Sequence, residues 1–327
     1  MGLTVNQLRL IRAIAENRTI EIKDYALACL AEDTTQKNHY QVEKYKKILQ
    51  SGGRKLMELP PNLAGIAVME DIGSFKENRY FLSEREHSVA ELIVRMNDVS
   101  IQLMERGVQY LNATLLYGES GTGKTSFGRY IAYRLGLPFM YINFSKMIDS
   151  HMGGTAKNLA RIFDFARQNE CLLMLDEIDC ISVKRSAVSD GSGSGAELSR
   201  TTITLMQELD NISNKHIIIG ATNRIDDIDP ALKRRFTEKH EVKKLAADET
   251  KEFINRFVES AGFHVADDEQ YYAWTNHTQA EIVIHLTKCM AKALMEGQEK
   301  LQIQWAKSSK CGRRSERKAE SYGCTWI

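Results

Sequence analysis

The chain has 327 residues, a formal net charge of +1 and 43% hydrophobic residues, which predicts about two domains with a sizeable core. The balance of charge excludes a surface that binds nucleic acid or anionic membranes over its whole area. No run approaches the roughly 20 apolar residues that span a bilayer, and the N-terminus lacks a basic segment followed by a long apolar one. The six cysteines lack zinc-site spacing, so we expect reduced thiols in a cytoplasmic protein.

Residues 1–62 are predicted to form a helical module followed by a linker. Four apolar residues share one face of a helical pattern: Leu8, Ile11, Ile14 and Ala15. The segments 51–54 (Ser-Gly-Gly-Arg) and 59–62 (Leu-Pro-Pro-Asn) then interrupt the pattern. Because Gly and Pro favour turns over regular elements, we place a domain boundary near residue 62.

From residue 63 to residue 245, short apolar runs alternate with amphipathic helical patterns. The predicted strands lie at 114–117, 139–144, 171–175 and 216–222. Alternation of this kind predicts an α/β domain with a parallel sheet covered by helices.

Residues 246–302 carry helical patterns without a convincing strand, which predicts a small all-α domain. Residues 303–327 are basic, and we predict a flexible tail there. A second flexible loop is predicted at 189–195, where the sequence is Ser-Asp-Gly-Ser-Gly-Ser-Gly.

The most informative motif follows the first predicted strand. Residues 118–126 are Gly118, Glu119, Ser120, Gly121, Thr122, Gly123, Lys124, Thr125 and Ser126. A glycine-rich turn between strand and helix lets backbone N–H groups surround a polyphosphate at the positive end of the helix. We expect Lys124 to reach the outer phosphates of a nucleotide and the Thr125 hydroxyl to bind Mg²⁺.

Two adjacent carboxylates, Asp176 and Glu177, end the third predicted strand. Ligands of open α/β sheets bind at this end of the strands, and successive strand side chains point in opposite directions. We therefore assign the two acids different roles. Asp176 is predicted to hold Mg²⁺, and Glu177 to act as the general base that orients and polarises the attacking water.

These motifs resemble those of AAA+ ATPases, and within them the protein-remodelling branch that includes severing enzymes of the katanin and spastin type. The resemblance covers roughly residues 66–300. It implies that Asn223, in Gly220-Ala-Thr-Asn-Arg, contacts the attacking water or the γ-phosphate. It also implies that the paired Arg234 and Arg235 reach the nucleotide of a neighbouring copy, where a guanidinium neutralises the transferring phosphoryl group.

Further assignments follow from the same resemblance. Asp71, Ile72 and Gly73 are similar to the segment under the adenine ring, while His151, Met152 and Gly153 correspond to the central-pore loop. That loop usually has an aromatic residue where His151 stands, which weakens the case for threading. In the last domain, Gln279 replaces the usual glycine, and Ala280 is expected to contact the nucleotide. Thr278 and Glu281 also have the spacing of a helix capping box.

The resemblance implies an enzyme that hydrolyses ATP with Mg²⁺ in a homo-oligomer, a hexameric ring, and remodels, unfolds or disassembles a protein client. Residues 1–62 would select the client or an adaptor, with no membrane involved. One alternative is a nucleotide-controlled switch or loader that acts on a partner enzyme or nucleic acid. The basic tail and the missing pore aromatic favour it. A third class, a small-molecule kinase, is weakened by Asp176, Glu177, Asn223 and the separate helical domain.

Overall fold

The computed structural model of the chain describes residues 3–15, 19–33, 59–150, 154–182, 193–212, 216–266, 274–298 and 300–303, with isolated positions in 38–49 and Tyr271. The helices are α1 (Val5–Ala15), α2 (Thr19–Glu32), α3 (Glu84–Glu105), α4 (Lys124–Leu135), α5 (Phe144–Ser150), α6 (Thr155–Gln168), α7 (Gly193–Asn211), α8 (Pro230–Lys233), α9 (Ala247–Glu259) and α10 (Gln279–Glu296). The strands are β1 (Ala67–Glu70), β2 (Asn112–Tyr117), β3 (Phe139–Asn143), β4 (Leu172–Asp176), β5 (Ile217–Thr222), β6 (Glu238–Glu241), β7 (His264–Val265) and β8 (Lys300–Leu301).

The main domain is built on a six-stranded sheet in the order β1-β3-β4-β5-β2-β6. The five strands from β2 to β6 run parallel, and β1 joins one edge antiparallel to β3. The predicted α/β fold with a parallel sheet is confirmed. The prediction of four strands was incomplete, because β1 and β6 are short edge strands. The sequence of β6, Glu-Lys-His-Glu, has charges that protect an exposed edge and hide the strand from hydrophobicity patterns.

Helices cover both faces of the sheet, as the alternation of β4 shows. Leu173 and Leu175 lie in the core layer beneath α6 and α7. Leu172 and Met174 point to the opposite face and lie in the layer beneath α3 and α4. This alternation follows from the two-residue period of a strand that is buried on both sides. The carboxyl ends of the parallel strands are thereby held at one edge of the sheet.

The C-terminal domain packs α9 and α10 around Trp274, which is fully buried. The prediction that it is all α-helical was wrong in one detail. The two-residue strands β7 and β8 pair in parallel, but two residues are too few to give a recognisable period. The predicted boundary at residue 302 also falls inside the fold, since Ile303 is buried and its carbonyl accepts a hydrogen bond from Trp274 Nε1 at 3.1 Å.

The N-terminal helices α1 and α2 pack against each other, and Ala13 is buried between them. The predicted apolar face of α1 points outward instead, because Leu8, Ile11 and Ile14 are 51 to 58% exposed. Pattern alone identified a helix but could not say which apolar face its neighbour covers. In the described part of the chain, no helix is long and apolar enough to span a membrane.

Two predicted segments lie wholly or partly outside the described residues. The tail from residue 304 onward is one of them. The loop predicted at 189–195 is the other, and its last three residues belong to α7, which begins at Gly193. For those three residues the prediction of a loop was wrong, since helix α7 overrides the low helix propensity of two glycines.

Candidate active site

The glycine-rich turn lies between β2 and α4, as the sequence predicts. Gly118 has φ +145°, and a Cβ there would lie 2.2 Å from the Val242 carbonyl oxygen. Gly123 caps the start of α4 with φ +99°. Side chains are excluded at both positions by backbone conformation and by close neighbours. Neighbouring atoms therefore pack closely against the turn, and its inner side consists of backbone atoms.

The Lys124 side chain lies within this turn and is only 7% exposed. Its ammonium group donates hydrogen bonds to the carbonyl oxygens of Gly118 and Glu119 at 2.8 and 2.7 Å. Burial lowers the pKa of Lys124, and the carboxylates of Asp176 and Asp179 oppose that shift. A partly desolvated cation of this kind binds an anion more strongly than a hydrated one.

Other side chains of the turn shape it. Thr122 is buried, and its hydroxyl donates to the Glu119 carbonyl at 2.9 Å. The Glu119 carboxylate forms an ion pair with Lys244 at 2.7 Å. That pair compensates an acidic charge beside the predicted phosphate position.

Thr125 and Asp176 meet at the carboxyl end of the sheet. The Thr125 hydroxyl donates to Asp176 Oδ2 at 2.8 Å. The Tyr141 hydroxyl on β3 donates to the same oxygen at 3.2 Å. Burial raises the pKa of Tyr141, so its hydroxyl remains a proton donor at neutral pH. No pattern in the sequence pointed to Tyr141, because β3 reads simply as a buried strand.

Glu177 occupies an unusual backbone position. Strand β4 ends at Asp176, and Glu177 follows in the left-handed region with φ +56°. Its side-chain direction is therefore set by this turn, and the reasoning from strand alternation was wrong. Its backbone N–H donates to Asp176 Oδ1 at 3.0 Å. A non-glycine residue in this region carries strain of about 1–3 kcal/mol, which is commonly found at functional sites.

A cavity of about 540 Å³ opens above this end of the sheet. The predicted residues that line it are Ser120, Gly121, Gly123, Lys124, Thr125, Ser126, Asp176, Glu177, Asn223 and Ala280. The cavity thus brings together the glycine turn, both carboxylates and Asn223, which are far apart in the sequence.

The opposite end of this cavity is apolar. Its lining there is Arg79, Tyr80, Phe253, Phe257, Val283 and Ile284, none of which was predicted from the sequence. Arg79 joins the two domains, because it donates to the Ser260 hydroxyl at 2.9 Å and lies 5.8 Å from the centre of the Phe257 ring. Aromatic surfaces and a guanidinium suit a flat, partly polar ring such as a nucleobase.

The predicted adenine segment lies elsewhere. Asp71, Ile72 and Gly73 do not line the cavity in the described part of the chain. Ile72 is 7% exposed and packs into the core layer under α4. The Asp71 carboxylate accepts the Gly73 N–H at 2.9 Å in a local turn. Burial of its side chain therefore holds Ile72 in the core, and the adenine role of residues 71–73 stays a prediction.

A second cavity of about 360 Å³ adjoins the first. Its lining is Ser145, Glu177, Asp179, Cys180, Asn223, Arg224 and Asp227. Glu177 and Asn223 line both cavities, so they lie where the two cavities meet. Three carboxylates against one guanidinium give the second cavity an acidic character.

The two predicted arginines are held differently. The Arg235 guanidinium binds Asp210 at 3.1 and 2.9 Å and also donates to the Ala231 carbonyl. Arg234 is exposed, and its guanidinium makes no hydrogen bond or ion pair within the described part of the chain. Neither arginine lines the two cavities of its own chain.

The start of α10 closes over the glycine turn. The Ala280 N–H donates to the Gly121 carbonyl at 3.0 Å, so this backbone group already has a partner in the chain. A Cβ on Gly123 would lie 2.4 Å from Gln279 Oε1, which places the Gln279 amide directly against the turn. The predicted capping box of Thr278 and Glu281 is confirmed.

The cavity fits a nucleoside triphosphate with Mg²⁺. Gly121 and Gly123 of the glycine turn line it, and Lys124 supplies a buried cation. Thr125 and Asp176 offer adjacent oxygen atoms, the ligand type that Mg²⁺ prefers. The predicted pore-loop residues His151, Met152 and Gly153 lie outside the described residues.

Comparisons with known proteins agree with this geometry. Residues 114–244 match the ATPase family associated with various cellular activities (AAA). An uncharacterised AAA family ATPase of Sinorhizobium fredii is 27% identical over 233 residues, covering 68% of each chain. Proteasome-activating nucleotidase 1 of Haloferax volcanii is 34% identical over 208 residues, or 62% of this chain and 48% of that protein. Peroxisomal ATPase pex6 of Schizosaccharomyces pombe is 37% identical over 138 residues, or 41% of this chain and 14% of that protein.

These matches identify an ATP-hydrolysing enzyme. The chain spans about half of the nucleotidase and a seventh of the peroxisomal ATPase. Residues 114–244 are thus similar to AAA ATPase domains, and the named relatives do not single out the katanin and spastin type.

Proposed function

We propose that this chain, whose residues 114–244 form an ATPase domain of the AAA family, hydrolyses ATP at a junction between two copies and thereby remodels a protein client. The glycine turn and Lys124 bind the phosphates, and Thr125 and Asp176 hold Mg²⁺. Mg²⁺ held there would neutralise charge on the transferring phosphoryl group. Glu177 accepts a proton from the attacking water, and Asn223 orients that water.

The main observation in support of a site between two copies is the guanidinium of Arg234, which is free in the described part of the chain. It is exposed, makes no hydrogen bond or ion pair with the described part of the chain and lies outside both cavities of its own chain. Arg235 is engaged by Asp210, which supports a structural role for it. A guanidinium delivered from a neighbour raises turnover by about 10³ to 10⁵. Arg234 is therefore our choice for the group that acts on the next copy.

The acidic second cavity supplies the complementary surface. It lies beside Glu177 and Asn223 and also contains Asp179 and Asp227. An arginine from a second copy that entered it would stand next to the group that activates water. Charge of opposite sign also steers the two copies into this orientation. We expect a closed ring of six copies, as the family resemblance implies.

Residues 1–62 are proposed to select the client or adaptor. The exposed apolar face of α1, with Leu8, Ile11 and Ile14, supports this role, since contiguous exposed apolar surface commonly marks a protein-binding site. The central-pore role of residues 151–153 remains a prediction. So does the narrower likeness to the katanin and spastin type.

ATP binding and phosphate release by three variants, and by a mixture of two of them, test the proposal. Glu177→Gln should bind ATP and accumulate as an assembled, inactive state, because the neutral replacement leaves Thr125 and Asp176 in place. Lys124→Ala should lose ATP binding. Arg234→Ala should bind ATP but lose turnover by about 10³-fold. Mixing Arg234→Ala with Glu177→Gln subunits should restore part of the activity.

The matched control is Arg224→Ala, because Arg224 lines the second cavity of its own chain. If Arg224→Ala abolishes turnover while Arg234→Ala leaves it unchanged, the guanidinium acts within one chain and the junction is refuted. Turnover per chain that stays constant on dilution to monomers would refute it as well.

The alternative, a nucleotide-controlled switch or loader, rests on the basic tail. It predicts slow turnover that a partner enzyme or nucleic acid stimulates. A protein captured by the Glu177→Gln variant only when residues 1–62 are present would favour remodelling instead.

A further inference from the structure

The hydroxyl group of Tyr141 is built into the predicted metal site. It donates to Asp176 Oδ2 at 3.2 Å and accepts a hydrogen bond from Asn143 Nδ2, also at 3.2 Å. The three residues form a chain of donors that runs from Asn143 through Tyr141 to Asp176. Since a hydroxyl that accepts a bond is polarised to donate one, Asn143 strengthens the bond to the carboxylate.

The position of the Tyr141 ring is fixed by the strand. Tyr141 and Phe139 lie two residues apart on β3, and their rings stack with centres 6.4 Å apart and an interplanar angle of 20°. Asn143 lies opposite Asp176 in the β3–β4 register. In addition, the Asn143 side-chain oxygen accepts the Lys146 N–H at 3.0 Å, which fixes the orientation of its amide. The donor chain therefore starts from a held group and ends on the carboxylate.

Hydrogen bonds from the chain occupy most of the capacity of Asp176. Oδ1 accepts the Glu177 N–H at 3.0 Å, and Oδ2 accepts the hydroxyls of Thr125 and Tyr141. An ionised carboxylate has about four acceptor positions. Three donors thus leave about one acceptor position for a metal ion or its water. They also restrict rotation of the Asp176 carboxylate, which would move that position.

We propose that Tyr141 is a positioning residue that holds Asp176 in its metal-binding orientation, with Asn143 orienting the Tyr141 hydroxyl. The inference rests on the proposed function, in which Thr125 and Asp176 hold Mg²⁺. Tyr141 itself touches neither nucleotide nor metal in this scheme. Its effect reaches the metal through the carboxylate, as partners of metal ligands commonly do.

The test is Tyr141→Phe, which keeps the ring on Phe139 and removes only the hydroxyl. The matched control is Tyr130→Phe, because the Tyr130 hydroxyl accepts a hydrogen bond from Arg134 and both tyrosines pack in the same core layer. Binding of Mn²⁺ to each protein saturated with ADP is followed by electron paramagnetic resonance. ADP affinity is measured separately in EDTA, and the melting temperature reports folding.

We expect Tyr141→Phe to weaken Mn²⁺ binding about tenfold or more and to leave ADP affinity in EDTA within about twofold of wild type. Tyr130→Phe should change neither. Unchanged Mn²⁺ affinity in a folded Tyr141→Phe protein would overturn the positioning role while leaving the proposed function intact. Equal losses of Mn²⁺ and of metal-free ADP would overturn it too, because the hydroxyl would then support the whole cavity. Wild-type protein that binds ADP but no Mn²⁺ would refute the metal site itself, and the proposed function with it.

Discussion

Gly220 lies beneath both segments that are proposed to act on the water and the phosphate. It is in the central strand β5, paired with Leu115 of β2 and Leu175 of β4. A Cβ at this position would lie 2.8 Å from two carbon atoms of the Phe236 ring and 3.1 Å from Ile178 Cδ1. The Gly220→Ala substitution therefore displaces Phe236 and Ile178, which directly follow Arg235 and Glu177 in the chain.

The size of the effect follows from these distances. Carbon atoms pack best at about 3.5 to 4.0 Å, so the Phe236 ring must retreat by roughly 0.7 Å. Phe236 is 1% exposed and Ile178 is fully buried, which leaves little free space for this movement. Overpacking of this kind costs about 1–3 kcal/mol, or a fall in melting temperature of about 2–12 °C for a domain of this size.

Catalysis should suffer more than stability. A displacement of about 1 Å at reacting groups costs on the order of 10²-fold in rate, so we expect turnover to fall by about 10- to 100-fold. Nucleotide affinity should stay within about twofold of the wild-type value, because the glycine turn lies between β2 and α4 and Lys124 is the first residue of α4. The assays are phosphate release, binding of a fluorescent ADP analogue, and the melting temperature.

Ile218→Val provides a control on the same strand. Ile218 is fully buried, and its truncation should cost about 0.5–1.5 kcal/mol without pushing on Phe236. The double variant Gly220→Ala/Phe236→Leu should recover part of the lost stability. If Gly220→Ala lowers the melting temperature but turns over like Ile218→Val, the catalytic segments do not depend on this contact and the reasoning is wrong.

Two further predictions concern the cap of α3 and the start of α10. Burial raises the pKa of Glu86 above its usual value, despite its hydrogen bonds with Ser83. The protein therefore loses stability as the pH rises from the pKa that Glu86 has in the unfolded chain to the higher pKa that it has in the folded one. Glu86→Gln should therefore raise the melting temperature at pH 7, by an amount that shrinks near pH 4, and an equal gain at both pH values would contradict this. Gln279→Gly should tighten ADP binding several-fold, because it removes a side chain that lies against Gly123. Weaker binding, measured by fluorescence anisotropy, would instead show that the amide holds the nucleotide.

The sequence predicted the parallel sheet because its central strands are buried on both faces. Leu172 to Leu175 form an unbroken apolar run, and the Gly118–Thr125 motif had the strand before it and the helix after it. Each signal is local, so it can be read without knowing the fold. The edge strands β1 and β6 lack such a signal, since hydrogen bonding to a neighbouring strand defines them more than their own residues do.

The apolar end of the cavity, which suits a nucleobase, could not be predicted from the sequence for a different reason. Arg79 and Tyr80 come from the segment before α3, whereas Phe257 and Val283 come from two helices of the second domain. Their convergence depends on how the two domains pack, and no spacing in the sequence encodes it. The short segment at Asp71 resembled the family pattern, but the preference of its neighbour Ile72 for the core decided its position.

The arginine pair shows how far sequence reasoning reaches and where it stops. Arg234 and Arg235 are adjacent, equally basic and equally compatible with a role in a neighbouring site. They differ because Asp210, at the end of α7, lies where only Arg235 can bind it through both of its carboxylate oxygens. An exposed ion pair contributes at most about 1 kcal/mol, too little to matter for the fold as a whole. It is enough to hold Arg235 on the surface of its own chain, which leaves Arg234 available for the role proposed at the next copy.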